Sequence, residues 1–305
     1  MIERVSYQYY LGIDGGGSTC RARLQSAEGH TLGEGRGGPA NVRLGQDLAW
    51  TNILASMDGA LKAAGLGREV LTQTAAGFGL AGYLKDADFD PAHPMGVEFA
   101  SLHLASDAHT ACLGAFDGGD GAIQIIGTGS CGYAIVNGIG RSQGGWGFAI
   151  SEKASGAALG RDAIYASLEA SDDLAVETPF TRAVLAEFGG PVGAVDWSDS
   201  ARPSDYAALA PMILRYAKLR DPVALSLVRR MSGDCANFIL ALVRLGAPRV
   251  VLLGGLAPEV RRWLAPNVVE YLAQPKGDAL AGALLLARGT QAVVAAQAIE
   301  GALSQ

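Results

Sequence analysis

Histidine is scarce in this chain of 305 residues, and none of its four histidines lies beyond His109. That order removes one reading at once. Gly140-Arg141-Ser142-Gln143-Gly144 matches the GxSxG nucleophile elbow, but the hydrolase that uses it needs a histidine after its serine. No lysine follows a glycine, so the Walker A loop of P-loop NTPases is absent. The four cysteines, Cys20, Cys112, Cys131 and Cys235, contain no CxxC pair, which points to thiols in a reducing compartment rather than a disulfide frame. Charged residues make up only 18%, with a net charge of -6, and the arginine pairs 229–230 and 261–262 are too short for a basic patch. No nucleic-acid partner is expected. The apolar stretch at 279–287 falls short of the roughly 17–25 residues a spanning helix needs. Residues 1–10 carry Glu3 and Arg4 and lack the apolar run of a signal peptide, so no membrane partner and a cytoplasmic location are expected.

Glycine is what the chain has in excess: 42 residues, about twice the usual share of roughly 7%. No G-X-Y period runs through them, and a hydrophobic fraction of 49% suits a packed core. GxGxxG occurs from Gly33, from Gly77 and from Gly127, but at this glycine content the pattern is weak. None of the three joins a strand to a helix with a ribose-binding acid beyond it, which argues against a dinucleotide fold.

Periodicity predicts strands at 9–14, 20–25 and near 31–34, then a helix over 46–64 with Leu48, Ile53, Met57 and Leu61 on one face. Further strands are expected at 72–77 and 99–106, followed by a helix over 108–116. After the break at 117–121 the opening pattern returns. A strand at 122–126 meets Gly127-Thr128-Gly129-Ser130, a strand at 131–136 follows, and Asn137-Gly138 makes a hairpin turn. The second half is mostly helical. Asp221-Pro222 opens a helix carrying Leu225, Val228, Met231, Cys235, Phe238, Leu242 and Leu245, and a strand is expected at 249–253 with helices over 259–272 and 277–298. The expected class is α/β, with two related halves.

Two loops of Gly and Ser/Thr between strands, Gly15-Gly16-Gly17-Ser18-Thr19 and Gly127-Thr128-Gly129-Ser130, let backbone amides approach phosphate oxygens with no Cβ in the way. The plainer reading makes them tight hairpins only. Asp14, ending the first strand, could hold Mg²⁺ through its waters. Asp107 follows a strand and precedes a helix, which suits both a helix N-cap and a general base for a substrate hydroxyl. His103, Asp107 and His109 show no compact metal spacing.

In order along the chain stand Gly12-Ile13-Asp14-Gly15-Gly16-Gly17-Ser18, Pro39-Ala40-Asn41, Gly79-Leu80-Ala81-Gly82, Ser106-Asp107-Ala108, Gly127-Thr128-Gly129-Ser130, Gly144-Gly145-Trp146-Gly147, Leu253-Gly254-Gly255 and residues 282–287. Together these resemble the BadF/BadG/BcrA/BcrD-type ATPases, and within them the N-acetylglucosamine and glucosamine kinases of the actin/hexokinase/Hsp70 superfamily. The resemblance implies two ribonuclease-H-like domains around an ATP cleft, here 1–117, completed by a C-terminal helix at about 289–305, and 118–288. It implies ATP and Mg²⁺ as cofactors and a small-molecule amino sugar as partner, and leaves a homodimer open. It makes Gly15-Gly16-Gly17-Ser18-Thr19 and Gly127-Thr128-Gly129-Ser130 the phosphate loops, Gly254-Gly255 the adenosine side, Asp14 the metal residue and Asp107 the base for the sugar 6-hydroxyl. Asn41, Asp107, Gly145, Trp146, Gly147 and Glu152 fall on sugar-binding positions.

Two departures stand out. Glu152-Lys153 replaces the family's Asp-containing run, and Ala81 replaces a serine found near the acetamido group in animal N-acetylglucosamine kinases. The alternative within the superfamily is an activator ATPase of the kind serving 2-hydroxyacyl-CoA dehydratases or benzoyl-CoA reductases, which holds an iron–sulfur cluster between subunits through cysteines. A sugar-responsive repressor would need a DNA-binding segment ahead of the first strand, where fewer than ten residues stand.

Overall fold

Alternating apolar residues open the chain as a meander: β1 (Tyr9–Gly15), β2 (Cys20–Ser26) and β3 (Thr31–Gly37) pair antiparallel in sequence. The computed structural model describes residues 7–83, 88–91, 97–289 and 293–294. After helix α1 (Gln46–Ala64) come β4 (Thr74–Leu80), β5 (Ser101–Ser106) and α2 (Asp107–Phe116). β4 and β5 extend the sheet in parallel, giving the order β3-β2-β1-β4-β5.

The same order then recurs. β6 (Gly121–Ile126), β7 (Ser130–Val136) and β8 (Ile139–Gly144) precede seven helices or helical turns. These are α3 (Gly156–Ser171), α4 (Pro179–Ala186), α5 (Pro191–Ser198), α6 (Pro203–Ala207), α7 (Ala210–Lys218), α8 (Pro222–Arg244) and, past β9 (Val250–Leu253), α9 (Ala257–Arg261). α10 (Pro266–Val269), β10 (Leu272–Ala273), α11 (Ala279–Ala287) and β11 (Val293–Val294) complete the described chain. The second sheet runs β10-β9-β6-β7-β8-β11, so its first five strands repeat the order of the first sheet. The duplicated ribonuclease-H-like α/β architecture expected from the sequence is the one observed. Among the described residues no helix is long and apolar enough to cross a membrane.

Two compact units result: Met1–Ile123 with Tyr133–Arg141 and Gln274–Gln305, and Gln124–Gly132 with Ser142–Ala273. This partition differs from the division at 117/118 with a return at 289–305. The return begins at Gln274, and the helix that makes it is α11; residues 295–305 lie outside the described chain. Glycine explains why α11 belongs to the first unit. A Cβ on Gly12 of β1 would sit 2.9 Å from Leu284 Cγ, and one on Gly77 of β4 would strike the Ala283 carbonyl. The helix lies directly on the strands. On the other face, Gly33, Gly35 and Gly37 alternate along β3 against the carbonyls of Ala60, Ser56 and Asn52, one per turn of α1. Two of the three GxGxxG matches are therefore helix-packing stripes.

Several local expectations shift. Leu48 is exposed, while Ala49, Trp50, Ile53, Leu54, Met57 and Leu61 form the buried face of α1. Trp50 stacks on Phe89 at 5.0 Å and donates its indole N–H to the Asp90 carbonyl. The strand expected at 72–77 starts at Thr74, because residues 68–73 form a 3₁₀ segment. The helix expected over 259–272 breaks into α9 and α10, since Pro266 holds Ala265 in the extended region. The one expected over 277–298 ends at Ala287, where Gly289 takes a φ of +84°, and Val293–Val294 pairs with β8 as strand. Asp221 caps α8 as expected and also accepts from the Phe180 amide of α4. Leu225 and Leu245 are less buried on that helix than Leu227 and Ile239.

His109, on α2, is 2% exposed, and its Nδ1 lies 2.9 Å from the Tyr133 hydroxyl of β7. Nε2 has no partner, and burial pushes the imidazole down to about 4. The native state therefore resists a proton that the unfolded chain accepts near pH 6.5. Stability is unaffected above that pH and falls as pH drops toward 4. We expect this residue to account for roughly 3 kcal/mol of acid destabilisation. Denaturant titrations of wild type and His109→Gln across pH 4–7 check it, the variant showing a flatter slope.

Candidate active site

In the first unit the site is built at the carboxyl ends of parallel strands. Asp14 is the penultimate residue of β1, opposite Gly79 of β4, which in turn lies opposite Ala105 of β5. Asp107 follows two residues later, so Asp14 and Asp107 stand two strands apart at one end of the sheet, roughly 10 Å by strand spacing. Gly15-Gly16-Gly17-Ser18-Thr19 make the turn between β1 and β2. The loop is held from behind: the Gly16 amide donates to the Thr19 carbonyl, the Ala40 amide to Gly16 and the Ala81 amide to Gly15. Its outer side is open, since Gly17, Ser18 and Thr19 are exposed and a Cβ on Gly17 would meet nothing within 4 Å.

Asp107 is not the helix cap. Ser106 takes that place, its hydroxyl accepting from the His109 amide at 3.2 Å, and Asp107 is the first residue of α2. Its Oδ1 accepts from the Ala108 amide at 2.8 Å. Burial raises the carboxyl above the ordinary carboxylate range, and the charge of Asp14 adds to the rise. A raised carboxyl at the carboxyl edge of a parallel sheet is placed to take a proton.

Asn41 joins this end of the sheet. It caps the short turn Val42–Leu44, accepting from the Arg43 amide at 2.9 Å. The Val42 amide donates to the Ala81 carbonyl, and a Cβ on Gly82, whose φ is +79°, would crowd Asn41 Oδ1. Asn41, Ala81 and Gly82 thus form one small cluster.

The second unit carries the other loop. Gly127-Thr128-Gly129 folds tightly, the Gly127 amide donating to the Gly129 carbonyl, and it sits on the start of α3. There Gly156 and Ala157 donate to the Gly127 and Thr128 carbonyls at 2.8 and 3.1 Å. Glu152 is bound to this loop: its Oε2 accepts from the Ser130 amide at 2.6 Å, and the Ser130 hydroxyl donates to the Lys153 carbonyl at 2.5 Å. Its carboxylate therefore braces the second loop, a role that its expected place among the sugar-binding residues does not describe. Gly254, with a φ of +94°, packs on the backbone of Ile126, which leaves no room for a Cβ. Gly255 opens onto a cavity of about 540 Å³, within the usual range for ligand pockets. Pro211, Leu214, Leu219 and Leu256 supply its apolar wall, and an ion pair between Lys218 and Glu259 at 3.0 Å lies at its side. Gly145 and Gly147 both have positive φ and hold Trp146 out, 62% exposed.

The nucleotide and metal expectations can be tested on these atoms. In the second unit, a loop of small residues and an apolar cavity beside Gly255 are features that suit a nucleotide. Among the described residues no three His, Cys, Asp or Glu side chains gather as a metal cage. Mg²⁺ needs none, because it keeps most of its waters and is commonly held by one carboxylate and substrate phosphates. Asp14, beside the first glycine loop, is a carboxylate of that kind, and its Oδ1 is outside its pair with Arg21. Its Oδ2 is taken by Arg21, at 2.7 Å to Nη2 and 3.1 Å to Nε. Arg21, Lys218 and Glu259 were not singled out from sequence. For Arg21 the signal existed, an arginine on β2 directly opposite Asp14, but it reads the same as any strand-surface arginine.

An actin-like fold with a glycine loop in each half and a carboxylate at the sheet edge defines the ATPase and sugar-kinase class. The chain belongs to the BadF/BadG/BcrA/BcrD ATPase family, whose model matches residues 11–287. Glucosamine kinase GspK of Vibrio cholerae is 38% identical over 284 residues, covering 92% of this chain and 95% of that protein. An N-acetylmuramic acid/N-acetylglucosamine kinase of Clostridium acetobutylicum is 32% identical over 173 residues, 54% of this chain and 55% of that protein. A solved structure from Chromobacterium violaceum, provisionally assigned as an N-acetylglucosamine kinase, superposes with a TM-score of 0.82 at 36% identity, covering 92% of this chain and 99% of that one.

The brace around Glu152 contains a strained residue. Ala154 is buried with a φ of +64°, a left-handed conformation that costs an alanine roughly 1 kcal/mol. Ala154→Gly is expected to raise the unfolding free energy by about 0.5–1 kcal/mol, read from urea denaturation.

Proposed function

We propose that the protein is an ATP-dependent amino-sugar kinase that phosphorylates glucosamine or N-acetylglucosamine at the 6-hydroxyl. The observation that carries this is Asp107: a raised carboxyl with only Oδ1 bonded to its helix start, at the same sheet end as the first glycine loop and Asn41. The sugar hydroxyl gives its proton to Asp107 as its oxygen bonds to the γ-phosphorus. The bond from that phosphorus to the β,γ-bridging oxygen breaks, ADP leaves, and Asp107 returns the proton to water. Gly15-Gly16-Gly17-Ser18-Thr19 and Gly127-Thr128-Gly129 offer amides to the phosphates, and Gly254-Gly255 opens the adenosine cavity. Mg²⁺, when bound with the nucleotide near Asp14, supplies charge neutralisation that phosphoryl transfer depends on.

Asn41 presents its NH₂ end to a sugar oxygen, because Oδ1 is used in its cap. Trp146, held by Gly145 and Gly147, offers an exposed ring face. Ala81 brings no hydroxyl to its cluster, so the residues favour free glucosamine over the N-acetylated sugar. The reading also takes the protein as cytoplasmic, with no nucleic-acid or membrane partner, and leaves a homodimer open. The activator alternative lacks support from the cysteines. Cys20, Cys112 and Cys235 are buried with thiols pushed up to about 11, 12 and 12, unlike ligands of a shared cluster.

ADP release across glucosamine, N-acetylglucosamine, N-acetylmannosamine and glucose tests the assignment. We expect glucosamine to be preferred; preference for the acetylated sugar would reverse that choice, and no turnover with any would remove the kinase reading. Asp107→Asn should lower kcat by about 10²–10⁴ with nucleotide binding retained. Because only the carboxylate accepts the proton, kcat/KM should fall as pH drops through the raised Asp107 value, above the ordinary range near 3.9. The same elevation makes the ionised form costly in the folded state at neutral pH, so Asp107→Asn should also melt at a higher temperature.

A further inference from the structure

Arg21 does more than decorate a strand surface. It stands directly across from Asp14 in the β1–β2 register, and two of its nitrogens converge on the single oxygen Asp14 Oδ2. Its third donor reaches Asp278 Oδ2 at 3.0 Å. Asp278 is itself fixed, because its Oδ1 caps α11 by accepting from the Ala281 amide. A guanidinium is planar and rigid, so contacts at both of its edges set its orientation. Arg21 is only a third exposed and Asp14 less than a fifth, so the pair is screened less than an ordinary surface pair.

The arrangement has two opposing effects on Asp14. The carboxylate is gripped at Oδ2 by two nitrogens, and Oδ1 takes no part in that pair. A positive charge also lies within hydrogen-bond distance of a group expected to meet a cation, which weakens any metal held by Asp14 alone. We propose that Arg21 is a positioning residue that fixes Asp14, anchored by the α11 cap Asp278, so that Asp14 engages a divalent cation delivered with the nucleotide and not the bare ion. The proposal rests on the kinase reading for the identity of the reaction, but not for its metal-binding consequence.

The test uses Arg21→Gln, Arg21→Lys and Asp278→Asn in the full chain. Mn²⁺ binding to the nucleotide-free protein, followed by electron paramagnetic resonance, is the readout independent of turnover. Arg21→Gln is expected to bind Mn²⁺ about 3–10-fold more tightly while kcat falls about 10–100-fold and the sugar KM changes little. Arg21→Lys should recover part of kcat, because charge returns without the two-point grip. Asp278→Asn keeps an oxygen for the α11 cap but loses the ion pair, so kcat should drop by several-fold with an unchanged melting temperature. Unchanged kcat in both Arg21→Gln and Asp278→Asn, or Mn²⁺ binding that weakens in Arg21→Gln, would overturn the proposal. If wild type phosphorylates no sugar, the kinase reading fails, and the Mn²⁺ comparison still decides whether Arg21 restrains Asp14.

Discussion

Backbone lies against backbone in the first unit, and much of the site follows from that constraint. α1 and α11 approach β3, β1 and β4 so closely that side chains cannot fit at Gly12, Gly33, Gly35, Gly37 or Gly77. A helix seated at this depth cannot shift along its axis without collision. α11 therefore delivers Asp278 to Arg21 at a fixed height, and Arg21 holds Asp14. Glycine in a strand interior costs entropy and packing. Here that cost is offset by placing the carboxyl ends of β1, β4 and β5 in one rigid frame.

The two glycine loops are built differently although their sequences are alike. The first is supported by main chain from Ala40 and Ala81, and its neighbouring carboxylate is paired with an arginine. The second is supported by a helix start and by Glu152, a carboxylate that accepts from the loop itself. One half thus carries two carboxylates, Asp14 and Asp107, at one end of its sheet, while the other carries a braced turn beside a cavity. Asp107 shows the compromise such sites make: a buried, elevated carboxyl is a liability to the fold and an asset to a proton transfer.

Much of the architecture could be read from the chain because its cues are local. Alternation gave β1 to β3, Asp221-Pro222 marked the start of α8, and Asn137-Gly138 marked the β7–β8 turn, where both residues take positive φ. The repeated strand–glycine loop–strand pointed to a duplicated fold. What escaped depended on contacts distant in sequence. α11 looked like part of a long helix in the second half because nothing nearby shows that it packs on Gly12 and Gly77. Ser106 and Asp107 are both good caps, and only the backbone geometry chooses between them. Glu152 aligned with a sugar-binding position, yet its longer arm reaches the Ser130 amide. Arg21 needed the strand register before its partner could be named.

The junction between the second loop and α3 extends the helix beyond its own residues. Gly156 and Ala157 donate to the Gly127 and Thr128 carbonyls, and each of those carbonyls shares a planar trans amide with the N–H of the next residue. The peptide units 127–128 and 128–129 are therefore joined head to tail to the first turn of α3. Hydrogen-bonded peptides polarise one another, and their dipoles add along the chain of bonds. The amides of Thr128 and Gly129 are thereby polarised by the first turn of α3. A turn of three small residues thus becomes a stronger donor than an isolated turn of the same shape.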